Sequence, residues 1–205
     1  MYLVKTPELL KPLAKDLLWH IDTSEKEIFL TFDDGPTPEV TELVLDLLHT
    51  YHAQATFFCL GKNVTQYPFI YNRILREGHS VGNHTFNHPD GWKTPVFSYL
   101  RDILSAKEHI HSQLFRPPYG RITPGQVAAL KKKFTLVMWD VLSADFDQTI
   151  KPTRCLTHVL THAKQGSIIV FHDSEKAKRN MLFALEGTLR ELSSQGYIFR
   201  ALKQA

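Results

Sequence analysis

Two histidines stand four residues apart in the segment His84-Thr85-Phe86-Asn87-His88. In a helical turn both imidazoles would lie on one face, whereas an extended strand would separate them by about 13 Å. A pair of histidines at this spacing, completed by a carboxylate, is a recurring ligand set for first-row metal ions. We therefore predict a helical turn here, and with it one half of a candidate metal site.

A second pair with the same spacing, His158 and His162, shows that the spacing alone is weak evidence. The chain contains 11 histidines, so one coincidental pair is expected. His158 and His162 fall within a predicted helix that has no acidic cluster nearby in the sequence. We interpret this second pair as part of a solvated helix face.

Two adjacent acids, Asp33 and Asp34, follow an apolar stretch at residues 28–32 that is typical of a buried strand. Neighbouring side chains after a strand point in different directions, so one carboxylate can bind a metal while the other stays free as a base. A solvated Asp-Gly-Pro turn is the alternative interpretation. Against it, two acids packed against a buried strand repel each other unless a positive group lies between them.

The hydrophobic pattern predicts about seven short strands that alternate with amphipathic helices. The predicted strands cover residues 27–32, 55–60, 79–82, 113–116, 134–139, 167–171 and 197–201. Between the first two strands, one helix face is formed by Val40, Leu43, Val44, Leu47 and Leu48. No linker rich in Gly, Pro or Ser interrupts the pattern, which favours a single α/β domain over residues 1–205 with mostly parallel strands.

Polar residues gather directly after five of these strands. Asp33 and Asp34 follow the first strand, His84 and His88 the third, Arg116 the fourth, Asp145 the fifth and His172 the sixth. In parallel α/β folds the carboxyl ends of the strands meet at one mouth of the sheet or barrel. The sequence therefore predicts that these side chains converge on one site.

Composition excludes several classes of protein. The chain has 205 residues, 43% of them hydrophobic, and 24 basic against 21 acidic residues give a formal charge of +3. A charge this small and dispersed does not indicate a nucleic-acid partner. No run approaches the roughly 20 apolar residues of a transmembrane helix, so we expect no membrane-spanning segment.

The cysteine content and the amino-terminal residues give an expectation for the cellular compartment of the protein. Two cysteines, Cys59 and Cys155, are too few for a disulfide scaffold, and the sequence does not determine whether they pair. Residues 1–7 lack a basic stretch followed by an apolar core and a small-residue cleavage site. We therefore expect a cytoplasmic protein, unless the start of a precursor is missing.

Five segments, taken in order, resemble the motifs of the NodB-type polysaccharide deacetylases, carbohydrate esterase family 4. They are Thr31-Phe32-Asp33-Asp34-Gly35-Pro36, His84-Thr85-Phe86-Asn87-His88, Arg116-Pro117-Pro118-Tyr119-Gly120, the segment around Asp145, and Ile168-Ile169-Val170-Phe171-His172-Asp173. The motifs lie within about residues 28–175, and the resemblance implies a distorted (β/α) barrel of about seven parallel strands. It also implies a metal-dependent hydrolase that removes N-acetyl groups from the amino sugars of a polysaccharide, chitooligosaccharide or peptidoglycan.

The resemblance implies that Asp34, His84 and His88 bind a divalent metal. Zinc is the common ion in the family, and cobalt or a similar ion is the alternative. Three protein ligands leave coordination positions open for water and for the acetamide oxygen. A divalent ion of this kind lowers the pKa of water toward about 7 and polarises the carbonyl.

The resemblance also assigns catalytic roles. Asp33 would be the general base, paired with and positioned by Arg116. His172 would be the general acid that protonates the departing amine, oriented by Asp145. The backbone amide of Tyr119 would help to hold the oxyanion.

Three positions depart from the family pattern. In the fourth motif, Leu142 replaces the first acid, and Phe146 replaces a tryptophan and so removes an indole donor from the substrate pocket. In the fifth motif, Val170 stands where leucine is common, in the pocket that receives the acetyl methyl.

The predicted substrate-binding residues are Pro118, Tyr119, Phe146, Val170 and Trp92.

Two other functions are compatible with parts of this pattern. One is hydrolysis of a small non-peptide amide, as in metal-independent relatives of the superfamily, and the complete set of Asp34, His84 and His88 argues against it. The other is a catalytically silent carbohydrate-binding module, which would normally have lost a ligand or the base. The sequence leaves open which N-acetylated carbohydrate is the substrate.

Overall fold

The computed structural model describes residues 3–7 and 15–203. The remaining positions of the predicted 1–205 domain, namely 1–2, 8–14 and 204–205, lie outside the described residues. Every strand pairing within the sheet is parallel, as the alternating pattern predicts. Among the described residues, each helix is too short or too polar to cross a membrane.

The described part of the chain contains short strands and mostly short helices. The strands are β1 (Leu17–Leu18), β2 (Glu27–Asp33), β3 (Ala55–Cys59), β4 (Ser80–Asn83), β5 (Leu114–Phe115), β6 (Thr135–Val137), β7 (Val141–Leu142), β8 (Ile168–His172) and β9 (Ile198–Phe199). The helices are α1 (Val40–Thr50), α2 (Gly61–Gln66), α3 (Pro68–Arg76), α4 (Val96–Lys107), α5 (Pro124–Leu130), α6 (Pro152–His162) and α7 (Lys178–Ser194). A 3-10 turn over Pro118–Gly120 follows β5.

The strands form one sheet in the order β1-β6-β5-β4-β3-β2-β8-β7, with β9 also paired to β2. The sheet curls with helices packed outside it, so the predicted (β/α) barrel class is confirmed. The sequence pattern predicts about seven strands and misses β1 and β7. Each of these strands has only two residues.

The amino-terminal chain joins the two ends of the sheet. Residues 3–7 run antiparallel to β7, where the backbone N–H of Leu142 donates to the Val4 carbonyl at 2.8 Å. Beyond β1, His20 forms an antiparallel bridge with Ser167, just before β8.

Alternate residues of β2 face opposite sides of the sheet, as a strand requires. Phe32 points toward the helices, where its ring stacks on Phe57 and Phe171 with centroids 5.0 and 5.9 Å apart. Thr31 and Asp33 point into the barrel and are buried there. This alternation gives the strand a hydrophobic outer face and a polar inner face at its carboxyl end.

Some local predictions are corrected by the structure. In α1, Leu43 is 40% exposed and Leu45 is buried, so the buried face is turned relative to the predicted one. His158 is half-buried because its Nδ1 lies 3.2 Å from the Ser143 carbonyl oxygen, and it is therefore not on a fully solvated face. Cys59 and Cys155 are free, buried thiols.

Candidate active site

The end of β2 places two carboxylates at the mouth of the barrel. Asp33 is the last residue of the strand and is 4% exposed. Asp34 leaves the strand with φ +83, a left-handed conformation that separates its direction from that of Asp33. The carboxylates of Asp33 and Asp34 therefore face different neighbouring residues, as the sequence predicts.

Asp173 holds the turn that follows these carboxylates. Its Oδ1 accepts the backbone N–H of Gly35 at 3.0 Å, and its Oδ2 accepts the hydroxyl of Thr41 at 2.6 Å. A Cβ at Gly35 would lie 2.0 Å from Asp173 Oδ2, so only glycine fits the position. Burial raises the pKa of Asp173 to about 8, which leaves this carboxyl largely uncharged at neutral pH beside Asp33 and Asp34.

The two histidines at 84 and 88 lie in an irregular loop after β4, and the predicted helical turn is wrong. Thr85 and His88 have left-handed φ values of +70 and +63, which no helix accommodates. Side chains replace the helical hydrogen bonds: Asn83 Oδ1 accepts the Thr85 N–H, and Thr85 Oγ1 accepts the His88 N–H. The loop nevertheless brings the two imidazole centroids to 5.1 Å from each other.

Asp34 and the two histidines form a group that we call the metal cluster. Asp34 Oδ1 lies 3.1 Å from His88 Nε2 and 3.7 Å from His84 Nε2. One ligand atom from each of the three residues lies within 4.8 Å of the others. Asp34 Oδ1 is buried, and among the described residues no donor reaches it with hydrogen-bond geometry. Two imidazole nitrogens and an unpartnered carboxylate oxygen fit a divalent cation of the first transition row.

His84 is prepared for ligation by its surroundings. Its Nδ1 lies 2.8 Å from the backbone carbonyl oxygen of Arg116, which favours a proton on Nδ1 and leaves the Nε2 lone pair free. Burial lowers the pKa of His84 to about 4, so the ring is neutral at physiological pH. A neutral imidazole is the form that binds a metal.

Arg116 is fully buried and fixes Asp33. Its Nη1 donates to Asp33 Oδ1 at 2.7 Å and to Thr31 Oγ1 at 2.8 Å. Nη2 donates to the carbonyl of Met138 at 2.8 Å, and the guanidinium stacks on the ring of Phe58 at 4.2 Å. Nε donates to the Val137 carbonyl at 3.3 Å, so all three guanidinium nitrogens donate hydrogen bonds. This cation is the positive group that lets Asp33 remain buried beside Asp34.

His172 ends β8 and is held by Asp145. Asp145 accepts two hydrogen bonds at 2.8 Å, one from Nδ1 of the His172 ring and one from its backbone N–H. Burial lowers the pKa of His172, but the charge and hydrogen bond of Asp145 more than offset this, and the pKa rises to about 9. At neutral pH His172 therefore carries a proton that it can donate.

One cavity of about 910 Å³ contains Asp33, the metal cluster and His172. Of the predicted substrate-binding residues, Tyr119, Phe146, Val170 and Trp92 line it. Pro118 does not line the cavity; it is buried in the 3-10 turn and shapes the backbone there. In this turn Tyr119 has φ +60, and no acceptor among the described residues meets its backbone N–H.

Sequence reasoning missed two parts of the cavity wall. Arg121 lies at the rim, where its guanidinium stacks near the rings of Trp92 and Tyr119 at 5.2 and 5.6 Å and pairs with Asp90. The amino-terminal residues, Leu3 among them, also line the cavity because they run along β7. Arg121 follows the third motif directly, but no signal in the sequence connects residue 3 with β7.

The amino-acid sequence is similar to those of known deacetylases, which is consistent with the groups found in this site. A family model described as polysaccharide deacetylase matches residues 20–137, more than half of the chain. A peptidoglycan-N-acetylglucosamine deacetylase of Bacillus cereus is 36% identical over 88% of this chain and 88% of its own length. A chitooligosaccharide deacetylase of Azorhizobium caulinodans is 32% identical over 89% of this chain and 91% of its own length.

A solved structure shares both the fold and much of the sequence. The crystal structure of the Bc1960 peptidoglycan N-acetylglucosamine deacetylase, in complex with 4-naphthalen-1-yl-N-oxidanyl-benzamide, superposes with a TM-score of 0.87. The two chains are 31% identical, and the match covers 96% of this chain and 95% of the other. This protein therefore belongs to the polysaccharide deacetylases, the family that its five ordered motifs resemble.

Proposed function

We propose that this protein is a metal-dependent hydrolase that removes N-acetyl groups from the amino sugars of peptidoglycan or of chitooligosaccharides. One observation carries the proposal: the metal cluster, an arginine-paired Asp33 and an aspartate-paired His172 all line the same cavity. This is a complete set of groups for hydrolysing an amide. Relatives named as deacetylases of peptidoglycan and of chitooligosaccharides support the choice of substrates.

The reaction needs a base for water and a polarised carbonyl. The Asp33 carboxylate accepts the proton of the water that attacks the acetamide carbon, and the hydrogen bond from Arg116 holds that carboxylate in place. The metal cluster would hold a divalent cation, for which we propose zinc, and that ion would supply the Lewis acidity that polarises the carbonyl. The backbone N–H of Tyr119, for which the described part of the chain offers no acceptor, donates to the oxygen that gains negative charge.

Breakdown of the tetrahedral intermediate needs an acid. His172, protonated at neutral pH, donates a proton to the departing nitrogen while the carbon–nitrogen bond breaks. The products are acetate and the free amine of the sugar. At the rim, the rings of Trp92 and Tyr119 flank Arg121 and offer apolar faces on which sugar rings can stack.

The direct test is acetate release. Purified protein with added zinc is expected to release acetate from N-acetylated chitooligosaccharides or from peptidoglycan fragments. Substrates that already carry free amines serve as the control and should release none. Glycan binding without acetate release from any N-acetylated substrate would contradict the proposal and favour a silent carbohydrate-binding module.

His84→Ala is expected to remove metal from the protein. One of three ligands is lost, and the remaining His88 and Asp34 hold an ion much more weakly. Elemental analysis after dialysis should give about one metal per chain for the wild type and a small fraction of that for the variant. His49→Ala, at an exposed histidine near the end of α1, is the matched control and should keep the wild-type content. Unchanged metal content in His84→Ala would contradict the ligand set.

Asp145→Asn is expected to change the pH dependence of activity. In the wild type His172 is protonated below a pKa of about 9, so kcat/KM should fall as pH rises through that region. Without the Asp145 charge the pKa of His172 falls, and the alkaline limb should move by about 1–3 pH units toward lower pH. A variant that is slower at every pH, with an unmoved alkaline limb, would show that Asp145 has only a structural role.

A further inference from the structure

Asp102, on α4, contacts the loop that carries His84 and His88 without taking part in the proposed chemistry. Its side chain is half-buried, and Oδ1 accepts the backbone N–H groups of Phe86 and Asn87 at 2.7 and 2.9 Å. Its Oδ2 accepts a hydrogen bond from Nδ2 of the Asn87 side chain at 2.7 Å. One carboxylate therefore holds two of the residues that lie between the two imidazoles.

The backbone conformation of this loop depends on such contacts. Thr85 and His88 have left-handed φ values of +70 and +63. Residues other than glycine hold a left-handed φ only where the surrounding structure fixes it, and for the β-branched Thr85 the conformation is especially rare. A loop that loses its external hydrogen bonds is therefore expected to relax toward right-handed conformations.

The other side of the loop is held by the start of α2. The backbone N–H of Gly61 donates to the Thr85 carbonyl at 3.0 Å, and that of Lys62 donates to the Phe86 carbonyl at 3.3 Å. These bonds use the carbonyl groups of the loop, whereas Asp102 uses its N–H groups. The two helices thus grip the loop from its two polar sides, and α4 does so through one side chain.

The two metal-binding histidines differ in how they are anchored. His84 is 2% exposed, and its Nδ1 lies 2.8 Å from the carbonyl oxygen of Arg116, outside the loop. His88 is half-buried, and its backbone N–H donates to Thr85 Oγ1, which belongs to the same loop. The ring of His88 also meets the edge of the exposed Tyr119 ring, with centroids 4.6 Å apart. A loosened loop would therefore displace His88 more readily than His84.

We propose that Asp102 is a positioning residue for the metal cluster, because its carboxylate fixes the loop in the conformation that turns His88 toward Asp34. This inference rests on the proposed metal-dependent function. Asp102 is not a member of the metal cluster and does not line the cavity, so it acts only through the loop. Groups that orient metal ligands from behind change metal affinity by about 10–100-fold when they are replaced.

Asp102→Ala is expected to weaken the binding of Zn²⁺ by about tenfold or more. The N–H groups of Phe86 and Asn87 lose their acceptor, and His88 is no longer held opposite Asp34. Alanine is a better helix former than aspartate, so α4 itself is not weakened. Titration of the metal-free protein with Zn²⁺ against a competing chelator gives Kd, and the visible spectrum of bound Co²⁺ should change with the ligand geometry.

Asp102→Asn separates hydrogen bonding from charge. The side-chain oxygen of asparagine can accept both backbone N–H groups, and its amide can donate to Asn87 once that amide has turned over. This variant should therefore bind Zn²⁺ within about threefold of the wild-type Kd and keep the wild-type Co²⁺ spectrum. Equal losses in the asparagine and alanine variants would show that only the negative charge matters, and would overturn the inference.

Asp46→Ala is the matched control, at an aspartate of α1 that is 63% exposed, and it should bind Zn²⁺ as the wild type does. Denaturant unfolding of the metal-free proteins establishes that each variant is folded. Should Asp102→Ala not fold, Asp102→Ser serves instead, because its hydroxyl is too short to reach both N–H groups. A folded variant of either kind with a Kd within about threefold of the wild type would overturn the role of Asp102 alone. A wild type that binds no divalent ion would overturn the proposed metal-dependent function.

Discussion

Asp33→Asn is expected to lower acetate release by about 10²–10⁴-fold while the protein keeps its metal. The amide has nearly the shape of the carboxylate, but it cannot accept the proton of the attacking water. Asp33 is outside the metal cluster, so the ligands Asp34, His84 and His88 stay in place. The measurement is acetate release together with elemental analysis of the same preparation.

The control for this experiment is another aspartate changed in the same way. Asp46→Asn affects a side chain that is 63% exposed and pairs with Arg73 at the surface. It should leave both acetate release and metal content at wild-type values. If Asp33→Asn retained near-wild-type activity, Asp33 could not be the base, and the proton would have to go to another group.

Arg116→Leu is expected to lower the free energy of unfolding by about 3–5 kcal/mol. The substitution leaves the Asp33 carboxylate buried without its cation, and it removes donors from Thr31 and from the Met138 carbonyl. A buried charge without a partner is among the most costly features that a single substitution creates. Denaturant unfolding of wild type and variant, with equal slopes, gives the difference.

A double substitution separates the charge effect from the loss of packing. In Arg116→Leu combined with Asp33→Asn no unpaired charge remains, so the double variant should be more stable than the sum of the two single effects predicts. Arg200→Leu is the surface control, because Arg200 is 51% exposed where it pairs with Glu27, and it should cost at most about 1 kcal/mol. Strict additivity, or a cost near that of the control, would contradict the role of Arg116 in holding Asp33.

The polar residues at the strand ends were predictable because their positions follow from the hydrophobic pattern of each strand and from the parallel arrangement of the strands. The apolar run at residues 28–32 identifies a buried strand that ends at Asp33, and parallel strands carry their carboxyl ends to one mouth. The order of the five motifs then predicts which residues share that mouth. The structure brings Asp33, Arg116 and His172 together as this reasoning expects.

The loop that carries His84 and His88 shows where prediction from residue spacing fails. The spacing of His84 and His88 predicts a helical turn, yet the structure brings their rings together through two left-handed residues. The side chains of Asn83 and Thr85 make hydrogen bonds that a helix would give to the backbone. Competition between side chain and backbone hydrogen bonds is decided by the surrounding structure, so residue spacing alone does not reveal it.

By itself the sequence determined the α/β class, the family and the chemical types of the groups at the mouth, because these depend on periodicity and on the order of motifs. Only the tertiary structure decided the shape of the cavity. Leu3 and Trp19 line the same cavity as Leu142 because the amino-terminal chain bonds to β7 and to the turn before β8, more than 100 residues away in the sequence. Such contacts come from backbone hydrogen bonds at the free ends of a sheet, which any residue type can make. The cavity wall therefore combines Leu142 and Val170, which belong to the fourth and fifth motifs, with amino-terminal residues that belong to none of the motifs.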